Sequence, residues 1–120
     1  MIYIGTDIVK ISRIKRLIDE KGKAFLSHIF TENEQSGCNS RTSPNIHFSG
    51  KFAAKEAVKK AMLSSNKNTT IPLSSIEIRN DLNGAPAVFI NHKDGRDRHI
   101  QVSISHTEEY ATATAIIEIK

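Results

Sequence analysis

Apolar and polar positions alternate at the start of the chain. Ile2, Ile4, Thr6 and Ile8 fall on one side, and Tyr3, Gly5 and Asp7 on the other. Period two predicts a strand over residues 1–8, with Asp7 near its end beside a glycine that keeps its own face open. The period then lengthens. Ile11, Ile14, Leu17 and Ile18 are spaced as one face of a helix over 9–20, with the basic side chains mostly off that stripe. A second short helix is predicted over 23–30. Thr31-Glu32-Asn33-Glu34 is a capping-box pattern that opens a third. Residues 35–45 are polar and turn-rich and read as a loop, followed by a longer helix over about 46–63 and another loop over 64–70.

The remaining pattern is that of strands. Residues 73–79 carry Ile76 and Ile78 on one face. Asn83-Gly84, followed by Pro86, marks a turn, and 87–90 is a short strand. Residues 91–98 form a charged loop. Ile100, Val102 and Ile104 alternate in the next strand, and Ala111, Ala113, Ala115, Ile117 and Ile119 in the last. A strand and helices followed by mainly antiparallel strands predict an α+β fold. No repeat, linker or domain boundary interrupts the 120 residues, so 1–120 is read as one domain with a modest core.

The long helix holds the most informative stretch, Gly50-Lys51-Phe52-Ala53-Ala54-Lys55-Glu56-Ala57-Val58-Lys59-Lys60-Ala61. Alanines at 53, 54, 57 and 61 let another backbone or a ligand come close. Glu56 and Lys60 are four residues apart and project from one face. A carboxylate beside ammonium groups suits a metal and a phosphate held together; the plainer alternative is a solvent-facing Glu-Lys pair. Lys55 and Lys59 read as charged flanks of the helix.

Charge changes the picture in one place. Residues 10–23 hold Lys10, Arg13, Lys15, Arg16, Lys21 and Lys23 against Asp19 and Glu20, which equals the whole net charge of +4. Such a face could meet nucleic acid, an anionic membrane or an acidic protein, or be simply solvated. With five Phe, two Tyr and no Trp, the aromatic interleaving of single-strand binding is missing. No apolar run is long enough for a membrane span, and the N-terminus does not look like a signal peptide. Cys38 is the only cysteine, which excludes an internal disulfide and a cysteine zinc cluster and favours a cytoplasmic setting.

Two further residues could carry chemistry. Asp7 could share a magnesium ion with Glu56, since that ion commonly takes one or two carboxylates plus phosphates and water; alternatively it stabilises the start of the helix that follows. His106 ends an alternating strand, where functional side chains are common, or is satisfied by the hydroxyls of Ser105 and Thr107. His28, His47, His92 and His99 have no comparable context. Phosphate-loop, dinucleotide and hydrolase-elbow motifs are absent, and Cys38 in a polar segment is a weak nucleophile.

Three segments in order resemble holo-[acyl-carrier-protein] synthase, the short, trimeric class of 4′-phosphopantetheinyl transferase. They are Ile4-Gly5-Thr6-Asp7-Ile8, Phe52-Ala53-Ala54-Lys55-Glu56-Ala57, and Val102-Ser103-Ile104-Ser105-His106-Thr107 with Glu109-Tyr110-Ala111. Ile76-Glu77-Ile78-Arg79 followed by Asn83-Gly84 and Pro86 is similar too, so the likeness spans the chain. The resemblance implies the fold of that family and its reaction: transfer of 4′-phosphopantetheine from coenzyme A to a serine of apo acyl carrier protein, in support of fatty acid biosynthesis. Adenosine 3′,5′-bisphosphate is the by-product.

The resemblance also implies roles. Asp7 and Glu56 match the family's magnesium ligands, Lys60 its phosphate-side lysine, and His106 its histidine beside the coenzyme. Glu56 is the base of choice for the carrier serine. Lys51 falls at an arginine position and is assigned to the ribose 3′-phosphate; Gly84 and Pro86 border the adenine. Arg13 and Arg16, with Lys10 and Lys21, would meet the acidic carrier protein. A homotrimer with active sites between subunits is implied, with no nucleic acid and no membrane span. Lys10, Lys51, Ala85, Glu108 and the 35–45 segment depart from the usual pattern, at coenzyme and carrier contacts rather than at the metal ligands. The competing reading is a small basic binding module, for nucleic acid or an acidic protein, without catalysis.

Overall fold

A single helix organises the chain. The structure, a computed structural model, describes residues 1–65, 71–92 and 99–119. In order come β1 (Ile2–Lys10), α1 (Ile11–Lys21), α2 (Lys23–Ile29), α3 (Glu32–Asn39) and α4 (Pro44–Ser64). A 3₁₀ turn (Leu73–Ser75) leads into β2 (Ile76–Asn80), β3 (Pro86–Ile90), β4 (His99–His106) and β5 (Tyr110–Glu118). β1, β5 and β4 form an antiparallel sheet in that order, and β2 pairs with β3 in a separate hairpin. The expected α+β architecture is present. α4 lies between the sheet on one side and α1, α3 and β2 on the other.

This sandwiching explains why α4 is buried nearly all round. Phe48, Ala53, Ala54, Ala57, Val58, Ala61 and Met62 are all in the core. The alanines bring the sheet close. A Cβ on Gly5 would stand on the carbonyl oxygen of Ala57 and 2.5 Å from the amide nitrogen of Ala61. β1 therefore crosses α4 backbone to backbone, at a spot only glycine can occupy. The inner side of β1 is Tyr3, Gly5, Asp7 and Val9. Its outer side leaves Ile2, Ile4 and Ile8 60%, 57% and 64% exposed. Ile116 on β5, opposite Ile4, is 40% exposed as well.

Several boundaries differ from the sequence reading. β1 runs on to Lys10, so the first helix begins at Ile11 rather than at residue 9. The expected loop over 35–45 is helix as far as Asn39. Its polar sequence hides two anchors: the capping box of Thr31 and Glu34, with both bonds formed, and the buried Cys38. α4 starts two residues earlier than expected, with Pro44 in its first turn, where a missing N–H costs nothing. Residues 73–75 form a 3₁₀ turn, and the strand begins at Ile76. Most of the two loops expected over 64–70 and 91–98 lies outside the described residues. Among those described, no helix is long and apolar enough to cross a membrane.

Candidate functional site

α4 presents two different groups of polar side chains. The first lies over β1. Asp7 sits on the inner face of the strand, two residues beyond the Gly5 crossing, with its side chain only 15% exposed. Lys60 reaches it from α4. Its ammonium donates to Asp7 Oδ1 at 3.0 Å and to the carbonyl of Thr6 at 3.0 Å. The pair lines a hollow with Thr112 and Thr114. Asp7 does not serve the following helix, because α1 has no side-chain cap and no acid in its first turn. Lys60 is likewise not half of a surface Glu-Lys pair, since its partner is Asp7.

Glu56 lies one turn before Lys60 on the same face of α4. It is half-buried and makes no hydrogen bond or ion pair among the described residues. Two carboxylates from two packed elements, one of them unpartnered, fit a hard divalent cation that takes its other ligands from phosphate and water. No three His, Cys, Asp or Glu side chains converge among the described residues, so the protein alone does not complete a cage.

The second group lies over β4. Lys51 and His106 line one cleft with Ile104 and Asn80. Gly50 allows the approach of α4 to β4, since its missing Cβ would stand 3.1 Å from Ile104 Cγ2. Lys51 donates to the carbonyl of Ile78 at 2.7 Å. His106 is exposed, and its Nδ1 lies 3.3 Å from the backbone oxygen of Thr107 rather than against the neighbouring hydroxyls. The Thr107 hydroxyl instead accepts from the amides of Glu109 and Tyr110 and fixes the β4–β5 turn. The cleft continues through His47 and Lys51 into a larger hollow of about 310 Å³ bordered by Arg41 and Arg79.

That continuation is basic. Arg41, His47, Lys51 and Arg79 border it, and only Lys51 was singled out from sequence. Partial burial, reinforced by the charges of Arg41, His106 and Lys51, holds the His47 imidazole below its ordinary 6.5. Arg79 is stacked on Phe89, 4.1 Å from the ring centroid, and is paired with Glu77. Burial opposes ionisation of Glu77, but hydrogen bonds from Arg79, Thr31 and Asn33 outweigh it and lower its pKa.

Lys55 corrects the sequence reading most sharply. It is not a charged flank: its side chain is fully buried. Its ammonium meets Glu34 Oε1 at 2.5 Å and the carbonyls of Ile29 and Leu73 at 2.7 and 3.2 Å. Burial lowers its pKa, and the charge and hydrogen bond of Glu34 oppose that shift. The sequence did carry a signal. Lys55 shares a helical stripe with Phe48, Val58 and Met62, all buried. Cys38, also buried, has its thiol pushed up to about 11 chiefly by burial, which makes it inert as a nucleophile at neutral pH.

The turn expected at Asn83-Gly84 is present. Gly84 has φ of 84°, a left-handed conformation suited to glycine. Asp81, not singled out from sequence, organises it by accepting from the amides of Asn83 and Ala85. Pro86 borders a hollow on the outer face of the sheet with Ser103 and Thr114. Thr114 also borders the Asp7–Lys60 hollow. Arg13 and Arg16 are exposed on α1, whose apolar side packs Ile11 and Ile14 inward.

The two groups do not converge within one chain. Asp7 lies on β1 and His106 on β4, with β5 between them. Two strand spacings and a two-residue offset in register put their backbones roughly 12 Å apart. Lys51 and Lys60 are nine residues apart on α4, about 14 Å along its axis and on opposite sides.

Comparison with known proteins places this architecture. Residues 3–115 match the model of the 4′-phosphopantetheinyl transferase superfamily. The holo-[acyl-carrier-protein] synthase of Chlamydia pneumoniae is 44% identical over 119 residues, 97% of this chain and 96% of that protein. That of Protochlamydia amoebophila is 43% identical over 116 residues, 94% of each chain. The crystal structure of a holo-(acyl-carrier-protein) synthase from Bacillus anthracis, in complex with CoA (3′,5′-ADP), superposes with a TM-score of 0.81 at 31% identity and covers 98% of this chain and 96% of that one. The acid–lysine pair over β1, the basic cleft over β4 and the helix that carries both thus sit in a known frame, and the chain belongs to the 4′-phosphopantetheinyl transferase superfamily, within its holo-[acyl-carrier-protein] synthase family.

Proposed function

We propose that the protein transfers the 4′-phosphopantetheine group of coenzyme A to a serine of apo acyl carrier protein. The observation that carries this reading is the placement of Asp7, Glu56 and Lys60 where β1 crosses α4, in a chain of this family. The serine oxygen forms a bond to the pyrophosphate phosphorus that bears the pantetheine arm. The bond from that phosphorus to the bridging oxygen breaks and releases adenosine 3′,5′-bisphosphate. The serine proton passes to a base, for which Glu56 is chosen because its carboxylate has no other partner among the described residues. Lys60 faces the charge that builds on the leaving phosphate, held ready by Thr6 and Asp7.

Asp7 and Glu56 would hold magnesium, whose contribution when bound is to offset charge on the pyrophosphate oxygens. The basic cleft of Lys51, His47, Arg41 and Arg79 suits the ribose 3′-phosphate, with His106 beside it. Gly84 and Pro86 border the adenine in this reading. The separation of the two groups within one chain, and the exposed Ile2, Ile4, Ile8 and Ile116, support a homotrimer whose sites are shared between neighbours. Sedimentation tests that part; a fully active monomer overturns it. Arg13 and Arg16 would dock the acidic carrier, and a cytoplasmic setting belongs to the same reading.

The deciding experiment incubates the protein with coenzyme A, magnesium and apo acyl carrier proteins and weighs the carriers by mass spectrometry. The expected result is one added phosphopantetheine mass. Carriers that stay unmodified across a panel refute the enzyme and leave a binding module.

A further inference from the structure

We propose that Glu34 and Lys55 are positioning residues for the coenzyme, acting through the backbone of Ile78 on the Lys51 ammonium. The inference rests on the reading of the basic cleft as the seat of the coenzyme's 3′-phosphate end.

The bonds around these two residues form a closed circuit. All three protons of the Lys55 ammonium are used, on Glu34, on the Ile29 carbonyl and on the Leu73 carbonyl. Glu34 is then committed as well. Its Oε1 also accepts from the Thr31 amide at 2.9 Å, and its Oε2 accepts from the Ile78 amide at 2.8 Å. The carbonyl of the same Ile78 accepts from Lys51 at 2.7 Å. Lys51 and Lys55 are one turn apart on α4. The path leaves α4 at Lys55, crosses α3 at Glu34, passes through β2 at Ile78, and returns to α4 at Lys51.

This circuit encloses the wall of the cleft. Glu34, Ile78 and Lys51 all line the hollow that Arg41 and Arg79 border. Arg41 follows α3 and Arg79 follows Ile78 on β2, so their backbones are placed by the elements the circuit ties together. A pair whose task was stability alone could be replaced by apolar side chains without loss. Here the carboxylate has a task an apolar side chain cannot perform, because it pins a strand amide whose carbonyl orients a cleft cation. Lys55 holds that carboxylate in place through their ion pair, without touching the cleft itself.

The test uses the intact enzyme and two variants, Lys55→Met and Glu34→Gln. Steady-state kinetics is expected to raise the KM for coenzyme A about tenfold, as for a misplaced binding group, with the carrier KM unchanged. Calorimetric titration with adenosine 3′,5′-bisphosphate is expected to weaken in parallel. Folded variants that bind it as tightly as wild type overturn the proposal. Should neither variant fold, the wild-type Ile78 amide is followed by NMR. It is expected to shift on addition of adenosine 3′,5′-bisphosphate and to move in Lys51→Ala without ligand; an unmoved amide overturns the circuit. Wild-type protein that does not bind adenosine 3′,5′-bisphosphate, or Lys51→Ala that binds it fully, refutes the reading of the cleft itself.

Discussion

Lysines that look alike in sequence have separate physical tasks on α4. Lys55 is buried in an ion pair, Lys60 bridges to a strand, and Lys51 faces a cleft. Their partners lie 18 to 54 residues away, so apart from the apolar stripe that Lys55 shares, nothing local distinguishes them. The acids were more legible. Asp7 was marked by strand period and an adjacent glycine, and Glu56 by its small neighbours. Asp7→Asn and Glu56→Gln are each expected to lower kcat by about 100-fold or more, the scale of a lost catalytic proton acceptor or charge, with an unchanged circular dichroism spectrum. Near-normal rates at limiting magnesium count against the site. His47 was passed over because, besides Lys51 one turn along α4, its cationic neighbours are Arg41 and His106, which the fold brings to it. Since burial and those cations lower its pKa from 6.5, it is neutral at pH 7 and titrates at a lower pH. An anion in the cleft offsets the cations, so adenosine 3′,5′-bisphosphate is expected to raise the His47 midpoint in an NMR titration. An unchanged midpoint means that the anion binds elsewhere.

The elements were largely legible because their signals are local. Alternation disclosed β1, β4 and β5, and Thr31 and Glu34 disclosed the start of α3. The continuation of α3 to Asn39 was hidden because it depends on burial of Glu34 and Cys38 by other parts of the chain. The β1–α4 crossing was half visible, since small residues on both elements permit it without requiring it. Gly5→Ala tests how tightly it is built. The new methyl would meet the Ala57 carbonyl and the Ala61 amide, and backbone cannot step aside as a side chain would. The expected loss is about 3 kcal/mol, at the upper end for overpacking, read from urea unfolding. The rate should fall too, because β1 carries Asp7. A variant as stable as the parent shows that the strand and helix have room to part.

For the whole molecule, the basic α1 and the exposed isoleucines were visible only as composition and period; the structure gives them faces. Arg13→Glu with Arg16→Glu is expected to raise the carrier KM several-fold and to flatten its salt dependence, because exposed charges steer encounter and are screened by ions. The KM for coenzyme A should not move; an equal rise in both places the coenzyme, not the carrier, on α1. The two-sidedness of α4 has a further consequence for mixed populations of subunits. With shared sites, one neighbour lends the β1 side of its helix and the other lends the β4 side. Asp7→Asn subunits and Lys51→Ala subunits, each impaired alone, would then complement when co-assembled, because some junctions receive both intact halves. A chain with both lesions would spoil two junctions at once and act as a dominant poison. Activity that stays flat on mixing the single variants would assign each site to one chain.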